Sequence, residues 1–494
     1  MSSTRRTLLP DPAGLWGLTL FIILCGIGGA KALKDGDTLW HIRMGQEMLA
    51  RGEILKTDLF SHTVYGQPWH THEWLWEIIM AAVHDWAGLG GVVIVSLAVV
   101  GLTFTLIFKV AARYAGEGFS SSLAMALALP YIYLHLLARP HIFTWLGATL
   151  TLYLLERDGR WPWLLVPMTT IWANLHGGVL FGLVLQTIFM AGNCLDNYQS
   201  DIRNWLKVSW AEGKPAFWVL IACIAAALVN PFSYQIFLFP FKVAATVFTR
   251  AIGEWHAPDF QELWFAKPWV IGLVIIAIWS GRKIPWRWIL LTLFLLWQTL
   301  SHVRNLSLAA LLLIPCFAMF FRDVSEDLKF RRKNRTDHTE LILSRWSGPV
   351  FTVLLALVFS GLITFDVAGA KAIADKRFPP AKENLAKVVN FLENGYPAGN
   401  LLNDYEWGDY LIYSFKTPPK VFIDGRADMY GEAVFEDHGK MMNLDKDIDN
   451  LIKIYGVTWS LLNRDSILNR YLRDCKSWVS IYSDDEVEIL TRNM

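Results

Sequence analysis

Up to about residue 366 the chain is a succession of long apolar runs broken by short polar motifs; beyond it, hydrophobic residues thin out and begin to alternate. A helix needs roughly 20 apolar residues to cross a bilayer, and most of these runs are about 15–22 long. They predict about eleven spans, near 14–33, 89–109, 119–137, 141–156, 161–175, 177–195, 216–231, 268–281, 286–300, 305–321 and 347–365. Several are short, so some ends must shift or some helices be re-entrant. Residues 34–88 carry two stretches, near 38–50 and 72–86, that read as helices lying along the interface. Trp40, Met44 and Met48 would share one face of the first; Gly52 stops it, and Gly66-Gln67-Pro68 makes a turn.

The C-terminal part alternates helical and strand patterns. Helices are expected at 382–393, 407–414, 448–455 and 466–474. Strands are expected near 400, at 421–424 and at 458–462, followed by a hairpin of 479–482 with 487–490. This reads as an α/β unit with a mostly parallel sheet. The predicted fold class is a polytopic α-helical membrane protein with a C-terminal extracytoplasmic α/β domain. The membrane domain would cover 1–366, with 34–88 as its first external loop, and the outer domain 367–494.

Composition agrees with the membrane reading: 54% of the 494 residues are apolar and only 18% charged, too few for a soluble chain of this size. Many of the 24 tryptophans sit beside the ends of apolar runs, as in an interfacial belt. A net charge of +1 gives no ground for a nucleic-acid partner. The five cysteines show no CxxC spacing, so neither disulfides nor a structural zinc is expected. Charged residues and no cleavage site follow the first run, which reads as an uncleaved span. Lys and Arg gather in alternate loops: Arg5-Arg6, Lys109 with Arg113, Arg157 with Arg160, Arg203 to Lys214, Arg282 to Arg287, and 322–345. Those loops are read as cytoplasmic, which puts the N-terminus inside and the C-terminal domain outside.

On that assignment seven polar motifs fall on the outer face: Asp35-Gly36-Asp37, His70-Thr71-His72-Glu73, Arg139-Pro140-His141, Asn174-Leu175-His176, Asn230-Pro231, Glu254-Trp255-His256 and His302-Val303-Arg304-Asn305. Polar groups at span ends are costly near lipid, so their convergence suggests one site. Asp35 and Asp37 could bind a divalent cation (magnesium or manganese), or one could act as base while the other orients it; the alternative is an N-cap at Asp37. His72 and Glu73 could ligate a metal or contact substrate, or simply sit in the wet interface. Arg139 and Arg304, with His141 and His302, could fork onto a lipid phosphate or snorkel to ordinary headgroups. Asn174 and His176 could bond sugar hydroxyls, or cap a helical hairpin. Asn230-Pro231 reads as a helix stop. Glu254 beside Trp255, with His256, suits sugar binding or an interfacial anchor.

An acidic motif after span one, two interfacial helices behind it, about eleven spans and a C-terminal outer domain together resemble the GT-C superfamily of membrane glycosyltransferases. Protein mannosyltransferases, aminoarabinose transferases and the catalytic subunit of oligosaccharyltransferase belong to it. Asn403-Asp404-Tyr405-Glu406-Trp407-Gly408-Asp409-Tyr410 is similar to the WWDYG signature of oligosaccharyltransferases, departing at the second Trp and the final Gly. The second-loop DxD of those enzymes has no counterpart, since the loop near Arg139 lacks a carboxylate. The resemblance implies transfer of a sugar or glycan from a polyprenyl-phosphate or polyprenyl-pyrophosphate donor to an extracytoplasmic acceptor, in a bacterial inner membrane. It implies a catalytic aspartate at Asp37 or Asp35 and places Trp407 and Asp409 among substrate contacts. The Asp424-Gly425-Arg426-Ala427-Asp428 stretch follows a strand and is either a ligand site at that strand's C-terminal end or a surface turn with an internal Asp-Arg pair. The competing readings are a transporter or flippase of lipid-linked sugars, and a non-catalytic scaffold. A transporter would place polar groups at the midplane and show paired repeats, and no repeat is apparent.

Overall fold

The computed structural model describes residues 11–331 and 385–493, apart from 28, 158–160, 245, 247–248, 250–251, 263–265, 280–283, 394 and 446. The expected span 347–365 and the start of the expected helix 382–393 lie outside the described residues. Most of the rest is helical. Among the described residues, three helices are long and apolar enough to cross a membrane: Trp74–Ala115, Val179–Ser200 and Trp205–Ala227. A bent pair, Asn305–Leu312 with Ile314–Glu326, passes the same test as one broken span with a 45° bend. Shorter apolar helices include Pro12–Gly26, Phe119–Leu134, Ile142–Leu155 and Ala266–Ile276. The expected break between interfacial helix and second span is at Gly88, whose φ of 66° and ψ of −167° interrupt Trp74–Ala115. Only glycine adopts that conformation readily. Between the expected spans 216–231 and 268–281 there is an additional helix, Gln235–Ala244.

Chain packing divides the protein into two compact units. The first comprises Met1–Gly29, Ile94–Phe237 and Gly253–Val367. Its helices approach through small residues, as lipid-embedded helices do when packing rather than hydrophobicity brings them together. A side chain at Gly17 would overlap Thr105 and the Gly101 carbonyl, and one at Gly147 or Gly182 would overlap the Trp172 ring. At the ends of these helices Arg287 donates to Glu156 at 3.0 Å and to the Tyr114 hydroxyl at 3.1 Å.

The second unit comprises Ala30–Val93, Leu238–Ile252 and Ala368–Met494. In packing, the first loop therefore belongs with the C-terminal segment. The segment's sheet has four strands, β1 (Asn400–Asn403), β2 (Val457–Asn463), β3 (Trp478–Ser483) and β4 (Val487–Arg492), in the order β1-β2-β4-β3. Only β1 and β2 are parallel; β4 is antiparallel to both β2 and β3. The expectation of a mostly parallel sheet is thus corrected, because 421–424 is not a strand of it. The Asn403 side chain accepts from the Phe422 amide and donates to the Ile423 carbonyl, each at 2.8 Å, occupying groups a sheet ladder would use. Val421 instead bridges to Ser61 of the first loop. Beside that bridge the Thr63 hydroxyl donates to the Phe422 carbonyl at 2.7 Å, and His62 Nε2 donates to the Leu401 carbonyl at 2.8 Å. Under this seam Leu402, Phe422, Ile423, Ile452, Leu462 and Leu490 form a continuous buried core. The helix Asp37–Arg51 buries Leu39, Trp40, Ile42, Met44 and Met48 and ends at Gly52 in the left-handed conformation.

Candidate active site

In the second unit Asp37 opens its helix, and Gly36, at the N-cap position, has no side chain with which to cap it. Asp35 Oδ1 accepts the Asp37 amide at 2.9 Å, so the capping role falls to Asp35. Asp37 Oδ1 instead faces Gly425: a Cβ there would overlap it and lie 2.9 Å from Asp409 Oδ2. The Gly425 amide donates to Asp409 Oδ1 at 2.8 Å, and a Cβ on Gly36 would lie 2.8 Å from Asp409 Oδ2. Two glycines thus make room for the Asp37 and Asp409 carboxyl groups to gather. Burial, with the nearby charges of Asp424 and Asp35, pushes Asp409 well above the ordinary carboxylate range, despite the Gly425 bond and Arg426.

Behind Gly425, Arg426 is held by three hydrogen bonds to Asp424: from its amide and Nε at 2.9 Å each, and from Nη2 at 2.6 Å. Its Nη1 lies 3.0 Å from Asp58 Oδ1. The Tyr430 hydroxyl donates to Asp424 at 2.5 Å, and the guanidinium lies over the Trp69 ring at 5.1 Å. The alternative of a surface turn is corrected: the Asp-Arg pair is internal, but Asp424 and Arg426 are 0% and 1% exposed. A buried pair of this kind needs its full hydrogen-bond complement to be tolerated.

His72 and Glu73 adjoin, with 3.6 Å between His72 Nε2 and Glu73 Oε1. Glu73 Oε2 also lies 3.5 Å from His41 Nε2, and the other His41 nitrogen is 3.0 Å from Glu77 Oε1. Burial depresses His41 to about 3 and His72 to about 4, so both rings are neutral. Among the described residues, the group whose ligand atoms all lie within 4.8 Å of one another is His41, Glu73 and Glu77. Asp35 and Asp37 are not in it. Trp407 is buried, and Gly408 packs against the Ile423 carbonyl, so the signature-like segment stands as a tightly held turn that delivers Asp409.

In the first unit, Glu254 gathers three basic side chains: Arg304 Nη1 at 3.5 Å, His135 Nε2 at 3.6 Å and Arg139 Nη1 at 3.7 Å. Burial opposes ionisation of Glu254, but Arg139, Arg304 and His135 together outweigh it and hold its carboxyl below the ordinary range. The backbone fixes this arrangement, since Val303 and Arg304 donate their amides to the His256 and Glu254 carbonyls at 2.9 and 3.2 Å. His302 Nδ1 donates to the Trp255 carbonyl at 2.7 Å, and the Arg304 guanidinium stacks over the Trp255 ring at 4.3 Å. His256 is exposed beside them. His141 donates from Nε2 to the His135 carbonyl at 2.9 Å. Thr144 and the Gly178 amide both bond His176 Nδ1, at 2.6 and 3.1 Å, which leaves its proton on Nε2. Asn174 uses its amide on the Thr170 and Val229 carbonyls, and Asn230 on the Ala227 carbonyl.

Each unit therefore assembles its own cluster from the residues singled out in the sequence: Asp37 with Asp409 in one, Arg139 and Arg304 around Glu254 in the other. Asp58, His41, Glu77 and His135 were missed. His41 and Glu77 each follow a recognised acid, Asp37 or Glu73, by one helical turn, and His135 precedes Arg139 by the same spacing. For His41 and Glu77 that periodicity is the signal that could have found them; His135 and Asp58 lie outside helices, where it does not apply.

No protein-family model matches the sequence, and no curated protein matches it. Its fold matches solved structures. The archaeal oligosaccharyltransferase AglB from Archaeoglobus fulgidus, in complex with an inhibitory peptide and a dolichol-phosphate, aligns with a TM-score of 0.57 at 9% identity, over 91% of this chain and 69% of that one. The same A. fulgidus oligosaccharyltransferase tethered to an acceptor peptide aligns at 0.56 and 10% identity, over 91% and 68%. ArnT from Cupriavidus metallidurans bound to undecaprenyl phosphate aligns at 0.51 and 12% identity, over 96% and 97%. The chain shares its fold with these solved structures of an archaeal oligosaccharyltransferase and of ArnT.

Proposed function

We propose that the chain is a membrane glycosyltransferase that moves a sugar or glycan from a polyprenyl-phosphate-type lipid to an extracytoplasmic acceptor, with inversion at the anomeric carbon. One observation carries the reading: the carboxyl groups of Asp37 and Asp409 gather at Gly36 and Gly425, in a chain sharing over nine-tenths of its length a fold seen in proteins holding polyprenyl phosphates. In this proposal the membrane domain spans 1–366 with about eleven crossings, and the C-terminal domain stands outside the cytoplasm.

The acceptor hydroxyl or amine attacks the anomeric carbon while Asp37 accepts its proton. The bond from that carbon to the lipid phosphate oxygen breaks, and the electron pair leaves with the phosphate. The transition state has oxocarbenium character, so the negative charge to be met develops on phosphate oxygen. In the first unit Arg139 and Arg304 are assigned to a lipid phosphate, because guanidinium groups already converging on a carboxylate are arranged for an oxyanion. His302 and His141 brace this set through their backbone bonds. Asp409 is assigned to the transferred sugar. Asp35 and Asp37 would hold a divalent cation, whose chemistry there would be neutralisation of phosphate charge. The Asp37 and Asp409 carboxyl oxygens that gather at Gly425 are donors of the kind such an ion takes.

The test is mass spectrometry of envelope glycolipids and glycoproteins from wild type, a deletion strain and Asp37→Asn. Loss of one sugar from the same product in both mutants, with the variant protein at normal level, is the expected result. An unchanged profile in both overturns the transferase reading; loss in the deletion alone removes Asp37 as the base.

A further inference from the structure

We propose that His41, Glu73 and Glu77 bind one transition-series divalent cation, zinc or manganese, which clamps the helix Asp37–Arg51 to the start of Trp74–Ala115. Glu73 and Glu77 are one turn apart and present carboxylates on one face, where His41 of the facing helix meets both. All three ligand atoms lie within 4.8 Å of one another, close enough to share one ion.

Two further observations point to a ligand. His41 is 2% and Glu77 1% exposed, and Glu77 Oε2 is buried with no hydrogen-bond partner. A buried carboxylate oxygen left unsatisfied costs free energy that a bound cation removes. The helices are also pressed together at this level: a Cβ on Gly45, one turn beyond His41, would overlap the Glu77 carbonyl and lie 2.8 Å from the Ala81 methyl. The ligands are therefore set by backbone approach rather than by side-chain search. His41 places Nδ1 3.0 Å from Glu77 Oε1 and Nε2 3.5 Å from Glu73 Oε2, while Glu77 Oε2 has no partner. A ligating histidine is characteristically oriented by such a carboxylate. One imidazole with two carboxylates suits zinc or manganese better than magnesium or calcium, which take oxygen ligands.

The ion would act as a positioning device. His41 lies one turn from Asp37 on the same helix, so fixing His41 fixes the helix end that presents Asp37. This inference stands on the packing of the two helices and does not rest on the transferase reading.

The experiment loads tag-free full-length protein in detergent with Zn(II), desalts it, and reads metal content, thermal midpoint and the zinc X-ray absorption spectrum. About one equivalent of zinc is expected, with a raised midpoint and a spectrum showing imidazole nitrogen beside oxygen ligands. Glu77→Gln and His41→Gln should each lose the zinc and the midpoint shift, while a double Asp35→Asn, Asp37→Asn variant keeps both. Wild-type protein that retains no zinc, or a spectrum without imidazole, overturns the proposal even if the variants do not fold. Zinc retained by Glu77→Gln but lost from the Asp35, Asp37 variant overturns it too, by moving the ion to the other acidic cluster.

Discussion

Arg426 meets Asp58 at 3.0 Å with neither side chain exposed, so the C-terminal segment and the first loop share one buried charge network. Asp58 is itself held by the Ser61 amide at 2.9 Å and hydroxyl at 2.7 Å. The network's function is placement: it stands directly behind Gly425, whose amide holds Asp409.

Removing one partner of a buried ion pair leaves the other charge uncompensated, which costs about 3–5 kcal/mol. Asp424 still engages Arg426 in an Asp58→Asn variant, so the lower end applies, about 3 kcal/mol. Thermal unfolding in detergent should show a clear drop, larger for Arg426→Met, which strands two carboxylates. A variant as stable as wild type would show that the pair contributes nothing to this unit.

Gly425→Ala should act on chemistry more than on stability. Its new Cβ meets Asp37 Oδ1 and both Asp409 oxygens, and these are side-chain ends that can swing aside rather than backbone. The carboxylates move and the fold stays. A displacement near 1 Å in a reacting group can cost about a hundredfold in rate. Transfer activity should fall by about that factor with a thermal midpoint within a few degrees of wild type. Equal loss of stability and activity would mean that Gly425 is needed only for packing.

Hydropathy made the helices Phe119–Leu134 and Trp286–Ser301 legible almost to the residue, because each is a single apolar run between polar stops. Alternation did the same for the hairpin of β3 and β4. The helix Gln235–Ala244 was not legible: Pro231 and Pro240 bracket and interrupt it, and both read as breakers. Val421–Asp424 has strand composition, but its pairing is decided by the Asn403 side chain and by Ser61, which no local pattern encodes. The same applies to the site. Asp37, Arg139 and Arg304 stand out as polar residues at the ends of apolar runs. His41 lies on the buried face of an amphipathic helix and reads as core until the facing helix brings Glu73 and Glu77 to it.

Arg304→Met deletes the guanidinium that faces Glu254 and covers Trp255. If this cluster receives the lipid phosphate, affinity for a short-chain polyprenyl phosphate should fall about tenfold or more, the worth of one charge-assisted contact. Arg304→Lys keeps the charge but not the fork and should recover only part of it. Tryptophan fluorescence titration reads this directly, since Trp255 adjoins the site. Unchanged affinity in Arg304→Met would remove the phosphate assignment and leave the cluster as a structural ion network.

Burial raises the Asp428 carboxyl to about 6 from an ordinary value of 3.8, against the opposing field of Arg426. The folded state therefore favours the protonated acid. Its contribution to stability is full below the ordinary value and is lost as pH rises through about 6, and Asp409, raised in the same direction, adds to that slope. Asp428→Asn stays neutral throughout, so it should gain on wild type as pH rises from about 4 to about 7, by on the order of 2 kcal/mol. Differencing the two proteins cancels the surface carboxylates, which they share. Thermal midpoints across that range decide the matter: a difference independent of pH would mean that Asp428 titrates as an ordinary acid in the folded protein.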